Sequence, residues 1–511
     1  MPYSQNDIFQ FFEQYLAAHS LAADTHVERI DTHGASIFLA GERAWKMKRA
    51  VRFSFMDFST SEQRRAMLMN ELTLNRRTAP ELYLDVHAIT EEADGTLALD
   101  GQGEPVDWAL EMRRFRDDAL LSQMADRGVL SLQQLKTLTD QVVAFHDAAP
   151  IVKDPDGYTR FLSVTQGNIE SLKACEDILG AREVQTISSA LLASIKSMKS
   201  LLTERAMSSR VRHVHGDLHL ANIALINDVP TPFDCLEFDT ELATTDTLYD
   251  IAFLIMDLWQ RNLKGEANEV FNRYLDLSPA DEAGVALMPL FLATRAVIRA
   301  HVGAARAQRL GPESDIAIEA RSYLQLAQTF LEPAATRLLA VGGLSGSGKS
   351  TLARAVAPLL GRAPGARLLR SDVLRKRMTG ARPETPLPAE AYTQKESERV
   401  YRHMNALAIT IASTGQSVIV DAVFARHDER QHIREQACAI HVDFQGIWLD
   451  CDLATRVARV SMRKGDASDA DAEVAQRQSA EALTTKDWQH VKADGPVDAL
   501  ALDVIHIMNN D

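Results

Sequence analysis

The stretch Gly342-Gly343-Leu344-Ser345-Gly346-Ser347-Gly348-Lys349-Ser350-Thr351 matches G-x-x-x-x-G-K-[ST] from Gly343 to Ser350. An apolar run, Leu338 to Val341, precedes it, and a helix-forming run, Leu352 to Leu360, follows. Strand, glycine loop and helix in that order are the context in which such a loop cradles phosphate. Backbone N–H groups must turn inward around phosphate oxygens, and glycines permit the turn because they lack a Cβ. Gly343, Ser345, Gly346, Ser347, Gly348, Lys349, Ser350 and Thr351 are therefore candidate nucleotide-binding residues. Lys349 is expected on the β- and γ-phosphates of ATP, and the Ser350 hydroxyl on Mg²⁺.

A second set lies upstream. His215-Gly216-Asp217 is followed by Asn222, five residues after the Asp, and then by Asp234 in an apolar setting. That pattern suits a base and a metal site: Asp217 takes the proton of an attacking hydroxyl, while Asn222 and Asp234 hold Mg²⁺. His215 braces the loop, and Asp250 caps the following helix or anchors the loop. Further upstream, Lys46 and Lys48 alternate with Trp45 and Met47, so a strand places both lysines on one face. Glu71, on a helix from about 61 to 77, is placed to pair with one of them and hold it on ATP phosphates. Either lysine fits, and Lys46 is favoured.

These residues need elements to carry them. The first third reads as a helix over 8–22, strands at Ala35 to Leu39 and Ala44 to Lys48, the helix bearing Glu71, then strands near 82–89 and 107–115. Mostly helical sequence follows from 130 to 210, and again from 251 to Pro333, which makes a natural stop. We expect a domain boundary there, giving domains 1–333 and 334–511. Beyond it, strands at 337–341, 366–370, 417–421, 442–449 and 500–507 alternate with helices after the phosphate loop and at about 388–413, 454–462 and 471–483. That alternation predicts a parallel sheet with helices on both faces and ligands at the carboxyl strand ends. Asp372 at one such end is a candidate base, and Arg375, one turn on, a candidate for an acidic substrate group. Asp421, at another strand end, is a candidate for Mg²⁺. Arg456, Arg459 and Arg463 fall at i, i+3 and i+7 beside Lys464-Gly465, a spacing that suits a lid carrying a catalytic guanidinium such as Arg463.

Bulk composition narrows the class. With 55 basic and 70 acidic side chains the net charge is −15, which weighs against a chain devoted to gripping nucleic acid. The four cysteines show no paired C-x-x-C spacing and read as reduced thiols of a cytoplasmic protein. The N-terminus shows no signal peptide, and no uncharged apolar run reaches about 18 residues, so no membrane span is expected. Oligomeric state is open.

Through His215-Gly216-Asp217, Asn222, Asp234 and Asp250, residues 1 to about 330 resemble the aminoglycoside phosphotransferase-like kinases, especially the branch fused to a P-loop domain. Residues 335–511 resemble the P-loop kinases that include gluconate kinases, zeta toxins and polynucleotide 5′-kinases. The resemblance implies a bilobal protein-kinase-like fold, α+β, followed by a P-loop NTPase α/β sandwich. It implies ATP and Mg²⁺ in each, and an N-terminal nucleotide loop near His33-Gly34-Ala35-Ser36. The expected activity is a bifunctional phosphotransferase acting on hydroxyl groups of small molecules such as sugars or aminoglycosides. Two alternatives stand beside it. In one, the C-terminal domain phosphorylates polynucleotide 5′-hydroxyls through a groove of Arg370, Arg375, Lys376, Arg377 and Arg382. In the other, the chain binds ATP without turnover and acts as a regulator.

Overall fold

The structure, a computed structural model, describes residues 3–19, 26–32, 34–53, 56–152, 156–237, 239–463, 465–478 and 487–510. His33, Lys464, residues 20–22 of the expected first helix and 479–483 of the expected helix over 471–483 lie outside them. Two compact units form: Met1–Lys153 with Val211–Asp250, and Asp154–Arg210 with Ile251–Asp511.

The first unit is built on a six-stranded antiparallel sheet. Its strands are β1 (Glu28–Asp31), β2 (Ala35–Ala40), β3 (Arg43–Lys48), β4 (Tyr83–Glu91), β5 (Leu97–Leu99) and β6 (Glu104–Arg113), in the order β1-β2-β3-β6-β4-β5. Helix α1 (Gln5–His19) buries Ile8, Phe9, Phe12 and Leu16 against Phe38, Trp45 and Met47. Helix α2 (Ser61–Asn75) starts at a capping box between Thr60 and Gln63 and packs Leu68 and Leu72 with Leu82, Tyr83 and Leu110. Alternation along β3 thus gives Trp45 and Met47 to the α1 core, leaving Lys46 and Lys48 to reach Glu71 of α2.

The second unit contains a five-stranded parallel sheet: β7 (Arg337–Gly342), β8 (Arg367–Arg370), β9 (Val418–Asp421), β10 (Asp443–Asp450) and β11 (Gln489–Lys492), in the order β8-β9-β7-β10-β11. The helices between them include α3 (Lys349–Val356), α4 (Ser371–Met378), α5 (Gln394–Ala412), α6 (His427–Ala439), α7 (Leu453–Met462) and the short helix Ala472–Arg477, with α8 (Val497–Asn510) last. The expected strand over 500–507 is part of α8 instead. Ala501, Val504 and Met508 recur at helical spacing and enter the core with Leu352, Ala353 and Val356 of α3. The fifth strand is β11, which sequence reading missed.

Compaction does not follow the chain break expected near 334. Helix Lys264–Leu277 and the turns of Pro279–Leu287 close against β8, the edge strand of the parallel sheet. Asn272 Oδ1 accepts the Leu368 N–H at 2.7 Å, and its Nδ2 donates to the Ala366 carbonyl at 3.2 Å, as a neighbouring strand would. Arg367, fully buried, pairs with Asp276 and Glu282 at 2.7 Å each. Residues Pro279–Ala307 are helical, long and apolar enough to cross a membrane, but 83% of their apolar 18-residue window is buried inside the protein.

Candidate functional sites

In the first unit, Lys46 Nζ lies 2.7 Å from Glu71 Oε1 and 3.0 Å from Asp234 Oδ1. Lys48 Nζ lies 2.7 Å from Glu71 Oε2 and 2.7 Å from Glu237 Oε1. Burial opposes the charge on Lys46, but Asp234, Glu71 and Glu237 outweigh it and raise its pKa well above the ordinary lysine value. Glu71 is itself fully buried; burial disfavours its ionisation, and the two lysines reverse that and hold its pKa near 2.

The loop after the short strand Val211–His213 is held from below by one carboxylate. Asp250 accepts the N–H of Gly216 at 2.8 Å and of His215 at 3.2 Å, and His146 Nε2 lies 3.0 Å away. Asp250 is thus the loop's anchor. Gly216 is required at φ 82°, where a Cβ would meet Leu236 Cβ at 2.8 Å. His215 braces the loop, its Nε2 3.0 Å from the Phe233 carbonyl. Asn222 Nδ2 donates to Asp217 Oδ2 at 2.8 Å, and the Asn222 carbonyl accepts the Phe233 N–H at 2.9 Å, which seats Asp234 next in line. Asp234 takes φ 59°, a left-handed conformation that Asp tolerates. Lys46, Glu71 and Asp234 are thus in direct contact, and Asn222 joins Asp217 to the segment that leads into Asp234. A slot of ≈ 250 Å³ beside them is lined by Ile37, Ala44, Met112, Phe115, Ala221 and Phe233, with Lys46 and Asp234.

Glu237, Asn70 and Asn75 were not anticipated. Asn70 Nδ2 donates to the Glu237 carbonyl at 2.7 Å, and Asn75 Oδ1 accepts the Cys235 N–H at 2.8 Å. Glu237 follows Asp234 by three residues, but nothing in that spacing marks it out.

In the second unit, parallel pairing puts Val341 opposite Asp421, and Asp421 opposite Arg370, so the phosphate loop and the two strand-end side chains start level. Gly343, Gly346 and Gly348 take φ of 144°, 84° and 99°. A Cβ on Gly346 would come within 2.5 Å of the Arg456 carbonyl. Lys349 Nζ donates to the Leu344 carbonyl at 3.1 Å, and Ser350 Oγ to Asp421 Oδ2 at 2.5 Å. Ser347 Oγ is buried inside the loop with no hydrogen-bond partner among the described residues. Burial lowers the Lys349 pKa, and Asp421 and Asp372 offset only part of the loss. Asp372 is shifted the other way: burial raises it, against Arg370 and with help from Asp421. A buried carboxyl of raised pKa is a stronger base once ionised.

The arginines depart from expectation. Arg456 and Arg459 reach back to the loop itself: Arg456 Nη1 donates to the Ser345 carbonyl at 3.4 Å and Arg459 Nη1 to the Ser347 carbonyl at 3.1 Å. They shape the loop from outside. Arg463 is the residue after α7 ends, with extended backbone, so the three do not share a helix face. Its positive field is felt at Lys349, and its side chain makes no hydrogen bond or ion pair among the described residues. Arg375 is buried over the Tyr392 ring at 4.9 Å and donates to the Ala391 carbonyl at 2.7 Å, so it is engaged within the protein. The expected basic groove is similarly consumed: Arg370 pairs with Asp466 at 2.6 Å, Lys376 with Asp469 at 2.9 Å and Arg377 with Glu282 at 2.8 Å.

Among the described residues no group of three or more His, Cys, Asp or Glu gathers to hold a metal. Each site instead offers one carboxylate with one amide or hydroxyl, Asp234 with Asn222 and Asp421 with Ser350. That sparse oxygen set fits Mg²⁺, which keeps most of its shell for phosphate and water.

Residues 338–483 match the AAA_33 family, described as an AAA domain. An uncharacterised protein of Mycobacterium tuberculosis strain H37Rv is 29% identical over 501 residues, covering 96% of this chain and 97% of that protein. Among solved structures, a gluconokinase from Sinorhizobium meliloti covers 35% of this chain and 94% of its own at 17% identity and a TM-score of 0.25. A choline/ethanolamine kinase family protein from Mesorhizobium loti covers 64% and 95% at 11% identity and a TM-score of 0.37. The second unit thus carries its glycine loop within the stretch that matches an AAA domain, and the first unit carries the Lys46–Glu71 pair.

Proposed function

We propose that the chain is a bifunctional Mg²⁺-dependent phosphotransferase that moves the γ-phosphoryl group of ATP to hydroxyls of small molecules at two separate sites. One observation supports this: each unit independently pairs a lysine or hydroxyl with a metal-type carboxylate, Lys46 with Asp234 and Ser350 with Asp421, and carries a second carboxylate for the acceptor proton, Asp217 on the Asn222 amide and the buried Asp372. In the first unit Lys46 meets the phosphates, Asn222 and Asp234 hold Mg²⁺, and Asp217 receives the proton. The apolar slot takes the purine. In the second, loop amides and Lys349 meet the phosphates, Ser350 and Asp421 hold Mg²⁺, Asp372 is the base, and Arg463 steadies the transferring group. Mg²⁺ held at each site would neutralise the negative charge that develops on the leaving β-phosphate as the γ-phosphoryl group departs.

Internal pairing of Arg370, Lys376 and Arg377 favours a small acceptor over a polynucleotide, since those cations are already neutralised. The test is γ-labelled ATP with pools of sugars, aminoglycosides and 5′-hydroxyl oligonucleotides. Label on a small molecule, lost with Asp217→Asn or Asp372→Asn, supports the reading. Label confined to oligonucleotides, or bound ATP with no transfer to any pool, overturns it.

A further inference from the structure

The two lysines of β3 are not equivalent. Lys46 faces Asp234 and lines the slot. Lys48 is 2% exposed and lies between two carboxylates, Glu71 of α2 and Glu237 of the metal loop. With Asn70 on the Glu237 carbonyl, Asn75 on the Cys235 N–H and Glu71 linked to Glu237 through Lys48, α2 is fastened to residues 235–237 through three helical positions. The Asp234 N–H is held in turn by the Tyr83 hydroxyl at 3.1 Å.

We infer that Lys48 and Glu237 are positioning residues: they bind α2 to the Asp234 loop and so hold the Lys46–Glu71 pair in its phosphate-ready place before nucleotide arrives. Lys48 itself does not touch nucleotide. The charge arrangement explains why the second pair exists. Glu71 presents two buried oxygens, and one lysine serves only one of them; Lys48 lies against the other. An ionised oxygen left without a cation there would be costly. Glu237 repeats the logic on the far side of Lys48. The consequence is a lobe whose helix is docked by its own side chains, without a ligand or a covalent modification to bring it in.

The inference rests on the nucleotide reading of this site, and the experiment separates the two. In the full chain carrying Lys349→Met, so that only the first unit binds, the affinity for N-methylanthraniloyl-ATP with Mg²⁺ is measured. Amide hydrogen exchange over 61–75 is followed in the nucleotide-free protein. Lys46→Met must abolish binding; if it does not, the nucleotide reading has failed. Given that control, Lys48→Met and Glu237→Gln should each weaken binding by about 10–100-fold, the usual cost of losing a residue that orients another ligand-holding group. The double variant should be no worse than the weaker single, because both break one link. Exchange should rise over 61–75 while other helices keep their protection, and saturating nucleotide should restore it. Lys48→Met with parental affinity, additive effects in the double variant, or protection lost throughout the chain would each overturn the inference. Should Lys48→Met not fold, Glu237→Gln, which keeps size and an acceptor, decides alone.

Discussion

The two proposed phosphate sites solve one problem by opposite means. In the first unit the cation is already neutralised: Lys46 rests between Glu71 and Asp234, and its pKa is raised. In the second the cation is under-compensated: Lys349 has a carbonyl for its hydrogen-bond partner, and burial lowers its pKa. The first site spends side chains from β3, α2 and the metal loop; the second spends backbone and glycines. A site made from side chains scattered over the chain depends on helix docking. A site made from one loop depends on local backbone geometry, here reinforced by Arg456 and Arg459 on the loop carbonyls.

The largest expected effects test whether both sites turn over. Asp217→Asn and Asp372→Asn should each remove about 10²–10⁴-fold of one phosphoryl transfer and leave the other intact, measured with separate acceptors. If one substitution silences both transfers, the sites are not independent. Next comes Arg367→Met. It strands Asp276 beside the edge strand, leaves Glu282 to Arg377 alone, and should destabilise the second unit by about 3–5 kcal/mol in urea unfolding, while Lys46-dependent nucleotide binding survives. Gly346→Ala should be smaller, about 1–3 kcal/mol of local strain. It should show as weakened nucleotide binding at the loop with normal binding in the first unit.

The glycine loop was legible because its chemistry is contiguous: ten residues carry backbone shape, lysine and hydroxyl together. The first site was legible in its parts, since Asp217, Asn222 and Asp234 keep short spacings. What holds those parts was not. Glu237 and Asn70 meet 167 positions apart, and neither has a local signature. Strand β11 and helix α6 escaped for a different reason. Gln489–Lys492 is mostly exposed, and α6 reads HDERQHIREQACA with few apolar residues, so neither shows hydrophobic periodicity. Residues 500–507 misled in the opposite direction: a dense apolar run suits strand and buried helix alike. Arg375 and the three arginines near 460 show that spacing gives a face but not a partner.

The smallest effects lie in pH, and they sharpen the contrast. Because the Lys349 pKa is lowered, its ammonium loses its proton sooner than an ordinary lysine as pH rises. Nucleotide affinity at the loop, read in Lys46→Met, should therefore decline in the alkaline range. The first site, read in Lys349→Met, should hold, since the Lys46 pKa is raised. In acid the roles reverse. Glu71 is held near 2 against an ordinary 4.5, so its stabilisation is complete above about 4.5 and is lost as pH falls toward 2. Glu71→Gln should flatten that part of the acid-unfolding curve of the first unit.

The central claim is that phosphate is neutralised at two separate places, and counting bound nucleotide tests it most directly. Calorimetric titration of the full chain with Mg²⁺ and a non-hydrolysable ATP analogue should give two sites per chain, with Lys46→Met and Lys349→Met each reducing the count to one and the double variant to none. A single site in the parent chain, or a count unchanged by either substitution, would contradict the account.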